Sequence, residues 1–478
     1  MLAPVLFLML LPAASAVHAQ TNAVTVSGSF RTRLEVWRWF EGSGDAGYAY
    51  SGSLLRVFVE QKRAALDWQI EAAAPVLLGL PENAAAPGAQ GQLGLGAAYY
   101  AANGRSRNAA MLFLKQGFLR FHSRAKAPRH TLRLGRFEFI DGMETSPANA
   151  TLAALKRDRI AHRLLGNFGF SHTGRSFDGL EYKWTPKPGS NLTVMGARTT
   201  RGVFQVDGWG ELDVAVAYGA WTQSLRAKRG AGEWRLFGIY YDDWRDVAKT
   251  DNRSPAPKLA DRRSIRIGTY GGHYLRVFES GAGTFDALLW GALQTGTWGR
   301  LDHRAGSFLV EAGWQPGKAP KWKPWLRGGF QYGSGDSDPS DGNHGTFFQI
   351  LPTPRWYARF PFYNFMNAQD AFGQLMLKPH PRLSLRSEVH SIRLADRDDL
   401  WYQGGGPFQP WTFGFAGRPS SGRGGLAASA DASADIQLNQ HAVLGLYFAN
   451  AWGGGVVSAI YPRGDSARLG FAELLYRF

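Results

Sequence analysis

Residues 27–40 alternate between two kinds of side chain. Phe30, Thr32, Leu34 and Val36 occupy one set of positions, and Arg31, Arg33, Glu35 and Trp37 the other. A β-strand sends successive side chains to opposite faces, so this segment has one lipid-compatible face and one charged face. The split recurs along the chain. Leu55, Val57 and Val59 oppose Arg56 and Glu60; Leu132 and Leu134 oppose Arg133; Leu180, Tyr182 and Trp184 oppose Glu181 and Lys183. Trp234, Leu236 and Tyr240 oppose Glu233 and Arg235; Ile265 and Ile267 oppose Arg266. Phe308, Val310 and Ala312 oppose Glu311, Leu326 and Phe330 oppose Arg327 and Gln331, and Leu383, Leu385 and Val389 oppose Arg386 and Glu388. A soluble sandwich alternates too, but its polar face meets bulk water and takes any polar mixture. Here arginine returns at mid-strand. In a closed transmembrane barrel that face lines the lumen, because an Arg turned to lipid at the membrane midplane costs about 2–4 kcal/mol.

The rest of the chain agrees. After the N-terminal segment no run of apolar residues is long enough for a membrane helix, which excludes an α-helical membrane protein. Cysteine is absent, which excludes disulfide frameworks and Cys-based metal sites. The chain has 59 Gly, 17 Trp, 17 Tyr and 30 Phe at a mean hydropathy of −0.26, which suits strands that are half apolar and half polar. Residues 1–17 form an apolar run, and Val17-His18-Ala19 before Gln20 reads as a small-residue cleavage site. Residues 1–19 are therefore expected to be a signal peptide, although the segment lacks the usual basic start. Pro4 and Pro12 argue against a membrane helix there. The chain ends Arg468-Leu-Gly-Phe-Ala-Glu-Leu-Leu-Tyr476-Arg477-Phe478, which resembles the C-terminal strand signal of bacterial outer-membrane proteins. Residues 20–478 then make one domain, all-β: a transmembrane antiparallel β-barrel of about 18 strands with extracellular loops and an aqueous channel. Helical periodicity appears only around residues 148–160. Residues 79–104, 249–261, 333–345 and 404–425 read as loops.

Two stretches carry a family resemblance. The first runs Leu134-Gly-Arg136-Phe-Glu138, then Arg157-Asp-Arg159, and ends Ser176-Phe177-Asp178-Gly179-Leu180. The second is Ser334-Gly335-Asp336-Ser-Asp338-Pro339-Ser-Asp341-Gly342, with Thr346-Phe347 and Pro352 following. Leu114-Lys-Gln116-Gly-Phe118 accompanies them. Together they resemble the alginate export porin family. The resemblance implies a monomeric 18-stranded barrel that passes an acidic polysaccharide outward through an Arg-rich constriction. Phe137 stands where that family usually has Gln, which alters the expected lumen beside Arg136.

The charge is an independent argument. The formal net charge is +16, from 54 Lys and Arg against 38 Asp and Glu. No nucleic-acid-binding signature accompanies it, so the partners expected are an anionic polysaccharide, outer-membrane lipid and lipopolysaccharide, with periplasmic export proteins and no nucleic acid. Arg105, Arg107, Lys258 and Arg262 fall in loops, where they would bridge lipopolysaccharide phosphates. The phasing puts Arg31, Arg33, Arg56, Arg120, Arg133, Arg235, Arg266, Arg327 and Arg386 on lumen faces. With Arg136, Arg159 and Lys183 these are the candidate pore and substrate-binding residues. Guanidinium stays charged and bonds carboxylates in pairs, and successive weak sites would hand a polyuronate forward. Glu35, Glu60, Glu138, Glu181, Glu311 and Glu388 are the acids expected to hold these cations in place. For any one arginine, an internal salt bridge that braces the wall is an equal reading.

Other signals are weaker. Asp336, Asp338 and Asp341 have a spacing that suits calcium, but the Glu of an EF-hand loop is missing, and an exposed acidic turn is the preferred reading. Gly91-Gln-Leu-Gly94-Leu-Gly96 is expected to be a loop that folds over the pore rather than a nucleotide fingerprint. Ser171-His172 and His122-Ser123 are strand neighbours that point apart, and no Gly-x-Ser-x-Gly occurs. His162, His273 and His303 stand alone. The expected function is non-enzymatic and cofactor-free: export of an alginate-like anionic polysaccharide across the outer membrane of a Gram-negative bacterium. The alternatives are a passive channel for small organic anions such as oligouronates or aromatic acids and, with least support, a barrel hydrolase.

Overall fold

The computed structural model describes residues 23–123, 129–226, 228–318, 321–353 and 359–478. The expected signal peptide lies outside the described residues. Eighteen antiparallel strands form one closed sheet. In chain order they are β1 (Val24–Arg38), β2 (Gly47–Lys62), β3 (Leu66–Leu78), β4 (Phe113–His122), β5 (His130–Phe137), β6 (Phe177–Trp184), β7 (Ser190–Thr200), β8 (Glu211–Arg226) and β9 (Gly230–Asp243). Then come β10 (Ile265–Ser280), β11 (Gly283–Trp298), β12 (Leu301–Pro316), β13 (Trp325–Gly333), β14 (Ala368–His380), β15 (Leu383–Leu394), β16 (Gly425–Gln437), β17 (Ala442–Gly453) and β18 (Ser466–Arg477). Each pairs with its chain neighbour, and β1 closes on β18 in the register Ser29↔Arg477 to Arg38↔Arg468. Closure removes the sheet edges, as a lipid setting requires. The terminal Phe478 extends the seam: its N–H donates to Gly28 O (3.1 Å) and its carbonyl accepts from Gly28 N–H (2.9 Å).

The two faces are those the alternation predicts. Leu34, Tyr270, Leu293 and Phe448 are more than half exposed and form part of the lipid belt, while Arg33, Glu35, Glu181 and Glu311 are buried inside. Trp244, Trp452, Trp314, Trp322 and Tyr476 stand exposed at strand ends, the girdle positions of a membrane barrel. Connections at one end are short turns such as 281–282 and 381–382. At the other end all but the 299–300 turn are longer, up to 39 residues at 138–176, so that end faces outward.

Helix α1 (Leu95–Ala102) lies in the loop after β3, L2 (79–112). The Gly91–Gly96 run is therefore not a plain loop: a two-residue strand, Gly91–Gln92, leads into α1. Helix α2 (Ala150–Leu155), capped by the Asn149 side chain accepting from Leu152 N–H at 2.9 Å, continues into a π-helical turn, Lys156–Ile160. This is the expected helical stretch at 148–160. The 395–424 loop carries its own hairpin, Leu400–Gly404 with Phe415–Pro419.

Candidate functional site: the channel interior

Two outward-end loops fold back into the barrel. L3 (138–176) and L7 (334–367) meet in backbone hydrogen bonds: Gly166 N–H to Leu351 O, Leu351 N–H to Leu164 O (both 2.8 Å) and Thr353 N–H to His162 O (2.9 Å). Around this zipper Ile160, Leu164, Leu165, Phe348, Ile350 and Leu351 join wall residues Val216, Ile239, Ile267 and Trp298 in one apolar core. Ion pairs tie L3 to the wall. Arg159 grips Glu311 through both carboxylate oxygens (2.6–2.9 Å) and lies 4.0 Å from Glu388. Lys156 pairs with Glu233 at 2.8 Å. From β1, Arg31 donates to the carbonyls of Gly169 (2.6 Å) and Ser171 (2.5 Å), and Arg33 to that of Phe170 (3.1 Å).

Most of the predicted cations take the inward parity of their strands, each beside an acid. Arg31 is 3.7 Å from Glu473. Arg33 pairs with Glu35 (3.1 Å) and Glu473 (2.5 Å), its guanidinium 3.9 Å over the Phe170 ring. Arg56 bonds Glu71 and Glu138 (2.8 Å to the latter). Arg133 and Lys183 share Glu181 (2.8 and 3.1 Å), and Phe137 lies under Arg133 at 4.2 Å. Arg120, a third exposed near the inner end, is 3.8 Å from Asp67. Arg235 pairs with Glu144 at 2.9 Å, Arg386 with Glu388 at 2.5 Å, and Arg327 with both Glu311 (2.8 Å) and Asp286 (3.2 Å). Glu60 departs from its expected role: it holds Lys62 at 2.9 Å and no arginine.

Two cations are not in the lumen. Arg266 points outward: Ile265 and Ile267 are buried inside, and Tyr270, Tyr274 and Phe278, of its own parity, are exposed. Position 266 lies at the outer end of β10, above the hydrocarbon, where an outward arginine avoids the lipid penalty and pairs with Asp242 at 3.4 Å. The inward isoleucines there meet the apolar core of L3 and L7. Arg136 shares the outward parity of Leu134 and Leu180. Its guanidinium grips Asp178 with two bonds (2.6 and 2.7 Å) and donates to the carbonyls of Leu114, Gly208 and Trp209. The Gly-Arg and Phe-Asp-Gly motif is thus a rim clamp: Phe177 packs inward, Asp178 takes Arg136, and a Cβ at Gly179 would strike the Gly196 carbonyl.

The second motif also holds structure. Asp336 is buried rather than an exposed turn. Its N–H donates to Asp399 (3.1 Å), which also accepts from Thr346 (2.6 Å) and Tyr402 (2.8 Å), fastening L7 to L8 (395–424). Asp338 and Asp341 instead face solvent and cap Ser340 and Asn343. No three metal-ligating side chains converge among the described residues. The acids Glu71, Glu144, Glu473 and Asp286 were not singled out from sequence. Glu473 was legible in the parity of β18, while Glu144 lies in a loop where no periodicity gives direction. His303 and His273 are not isolated: His303 Nδ1 is 2.9 Å from His344 Nδ1, and His273 is 3.0 Å from Glu233.

At the outer mouth, above the zipper, lies a cavity of about 410 Å³ walled by L2, L3, L7 and L8, with Trp39 and with Phe204 of the 201–210 loop. Phe168, Phe204, Phe408 and Phe413 supply much of its surface, and among the described residues Arg418 is the arginine that lines it.

The family model for alginate export matches residues 84–467. The chain belongs to the alginate export family. No curated protein matches it. Among solved structures, this alginate export family barrel is similar to OccK9 (OpdG) of Pseudomonas aeruginosa, with a TM-score of 0.56 at 13% identity over 95% of this chain and 98% of that one. OccAB2 of Acinetobacter baumannii gives 0.55 at 9% identity over 97% and 99%. OpdK of Pseudomonas aeruginosa, in a structure with vanillate, gives 0.53 at 10% over 95% and 98%. Fold and family together make the alginate export family chain an outer-membrane channel.

Proposed function

We infer that this barrel is a selective diffusion channel for small carboxylate-bearing solutes in the outer membrane of a Gram-negative bacterium. The observation that carries the reading is the L3–L7 zipper, which crosses the interior and leaves a cavity of solute size at the mouth in place of an open tube. Below it, Arg133, Arg327 and Arg386 sit in carboxylate pairs along the wall, and a passing carboxylate would exchange with those acids. The vanillate-bearing OpdK structure, which shares the fold, favours solutes of this size. The barrel is proposed to work as a monomer, with its loop arginines Arg105, Arg107 and Arg262 against lipopolysaccharide.

A second reading is export of an alginate-like polyuronate, with periplasmic export proteins as partners. The family match favours it, and it requires L3 and L7 to swing out of the lumen. The test is the reversal potential of the purified protein in a planar bilayer under a KCl gradient, followed by addition of monomeric carboxylates and of mannuronate oligomers. Anion selectivity with current block by the small acids, weakened in Arg133→Ala or Arg327→Ala, supports the first reading. Block by the oligomers with indifference to the small acids would transfer the conclusion to the second. A non-selective pore would defeat both.

A further inference from the structure

Every buried arginine among the described residues has a carboxylate oxygen within 4.0 Å, with two exceptions: Arg175 and Arg418. Both belong to loops; Arg418 lines the outer cavity, and Arg175 lies behind its wall residue Phe168. The Arg418 guanidinium is steered by neutral groups only: the carbonyls of Ala89, Gln90 and Gln92 (3.0 Å to the last) and the Gln403 Oε1 (3.1 Å). Arg175 stands behind the Phe168 ring, 5.7 Å from its centroid, with one donor on Gly405 O at 2.5 Å and with Nε and Nη1 unpartnered. Burial pushes both guanidiniums below the usual arginine range, Arg175 down to about 9. A buried cation without its counter-charge is costly, and elsewhere in this molecule the cost is met by an acid. At the mouth the acid is missing.

The remaining walls say what body accompanies the missing carboxylate. Phe168, Phe204 and Phe408 stand in successive edge-to-face contact at 5.4 and 5.3 Å. Three of the polar side chains in the lining are already engaged: Gln403 Nε2 donates to Phe362 O (3.0 Å), Tyr363 to Asp370 (2.8 Å), and Thr412 to Gln409 (3.5 Å). The hydroxyls of a sugar ring would lose water there and find few partners, whereas a flat apolar ring meets aromatic faces. The volume of about 410 Å³ is in the range of small-molecule sites.

We propose that the outer vestibule is a capture site for an aromatic monocarboxylate, with the ring among Phe168, Phe204 and Phe408 and the carboxylate on Arg418. Arg175 adds its charge from behind Phe168. The site rests on the small-carboxylate reading of the channel and narrows it.

The test is calorimetric titration of the detergent-solubilised barrel with benzoate, with benzyl alcohol as the uncharged probe and galacturonate as the sugar-acid probe. Benzoate is expected to bind at least tenfold more tightly than either. Arg418→Gln is expected to weaken benzoate by about 10- to 100-fold, the scale of a lost hydrogen bond to a charged group. Because Arg418 also fastens residues 89–92, Phe408→Ala is the companion variant: it keeps the charge and removes a wall, and it too is expected to weaken benzoate. Heat-modifiable migration in SDS establishes that each variant barrel is folded. Absence of benzoate binding to the wild type overturns the proposal, as do galacturonate binding as tightly as benzoate and unchanged benzoate affinity in both variants. Current block by small aliphatic acids in the bilayer without benzoate binding would sink this site and leave the channel reading standing. Benzoate binding without any small-acid effect on current would do the reverse.

Discussion

Glu311 is the acid on which the docking of L3 turns, and Glu311→Gln isolates that role. The wild-type carboxylate accepts three bonds from Arg159 of L3 and one from Arg327 of the wall, and Arg163 Nη2 lies 3.8 Å away. Removing one partner of a buried pair costs about 3–5 kcal/mol. Two features put this case at the lower end, about 3 kcal/mol. Glutamine keeps one acceptor, and Arg327 retains Asp286 at 3.2 Å. Arg159 keeps no carboxylate nearer than Glu388, at 4.0 Å. The loss therefore falls mainly on the loop. At about 1.4 kcal/mol per factor of ten, the undocked state of L3 gains roughly a hundredfold. Single-channel recording reads this directly: the variant should visit a larger-conductance state about a hundred times more often than the wild type. Thermal unfolding, followed by heat-modifiable migration in SDS, reports the wall separately. If that stability falls while large-conductance visits stay as rare as in the wild type, Glu311 braces the wall alone and the account of L3 as a docked element is wrong.

Two further outcomes follow from the corrected placements and from the L7–L8 latch. Arg136→Ala breaks the rim clamp on Asp178 and should cost about 1–3 kcal/mol in unfolding, yet leave the reversal potential unchanged; a shift in selectivity would return Arg136 to the pore. Burial and the neighbouring carboxylate raise Asp336 to about 7, and burial raises Asp399 to about 6, both from 3.8. An acid raised on folding binds more protons in the native state, so its stabilising contribution is full below about pH 4 and is lost as pH rises towards about 7. Amide exchange at 336–346 and 396–402, corrected for intrinsic rate, should show the latch looser at about pH 8 than at about pH 5, with Asp336→Asn flattening the difference. Equal protection at both pH values in the wild type would remove the latch from consideration.

The faces of the strands were legible in the sequence because a two-residue period leaves no ambiguity where lipid meets one side. Phe30, Leu34 and Val36 against Arg33 and Glu35 is such a case. The signal fails at strand ends. Arg266 and Arg136 sit beyond the hydrocarbon, where lipid no longer dictates which face is apolar and local ion pairs decide. It fails again in loops. L3 has no period that says Arg159 reaches Glu311 across 152 residues, and nothing in the composition of L8 marks Arg418 as buried without an acid. The two family motifs were visible as residues but not as roles. Asp178 takes the rim arginine Arg136, and the backbone of Asp336 is tied to Asp399 of L8.

The placement of charge bears on how such a channel selects. The inward-facing arginines Arg33, Arg133, Arg327 and Arg386 are matched closely by acids, and the loop arginines Arg105, Arg107 and Arg262 are exposed. The excess of 16 positive charges is thus carried in good part outside the wall pairs, where salt screens it over about 8 Å at physiological ionic strength. On the proposed small-carboxylate reading, a lumen of balanced pairs would exert little long-range pull on a polyanion. It would act on a carboxylate already inside, by exchange with Glu181, Glu311 or Glu388. Selection by exchange would favour solutes small enough to reach one pair at a time, and it would place the discriminating step where a buried arginine lacks a carboxylate, beside Arg418 at the mouth.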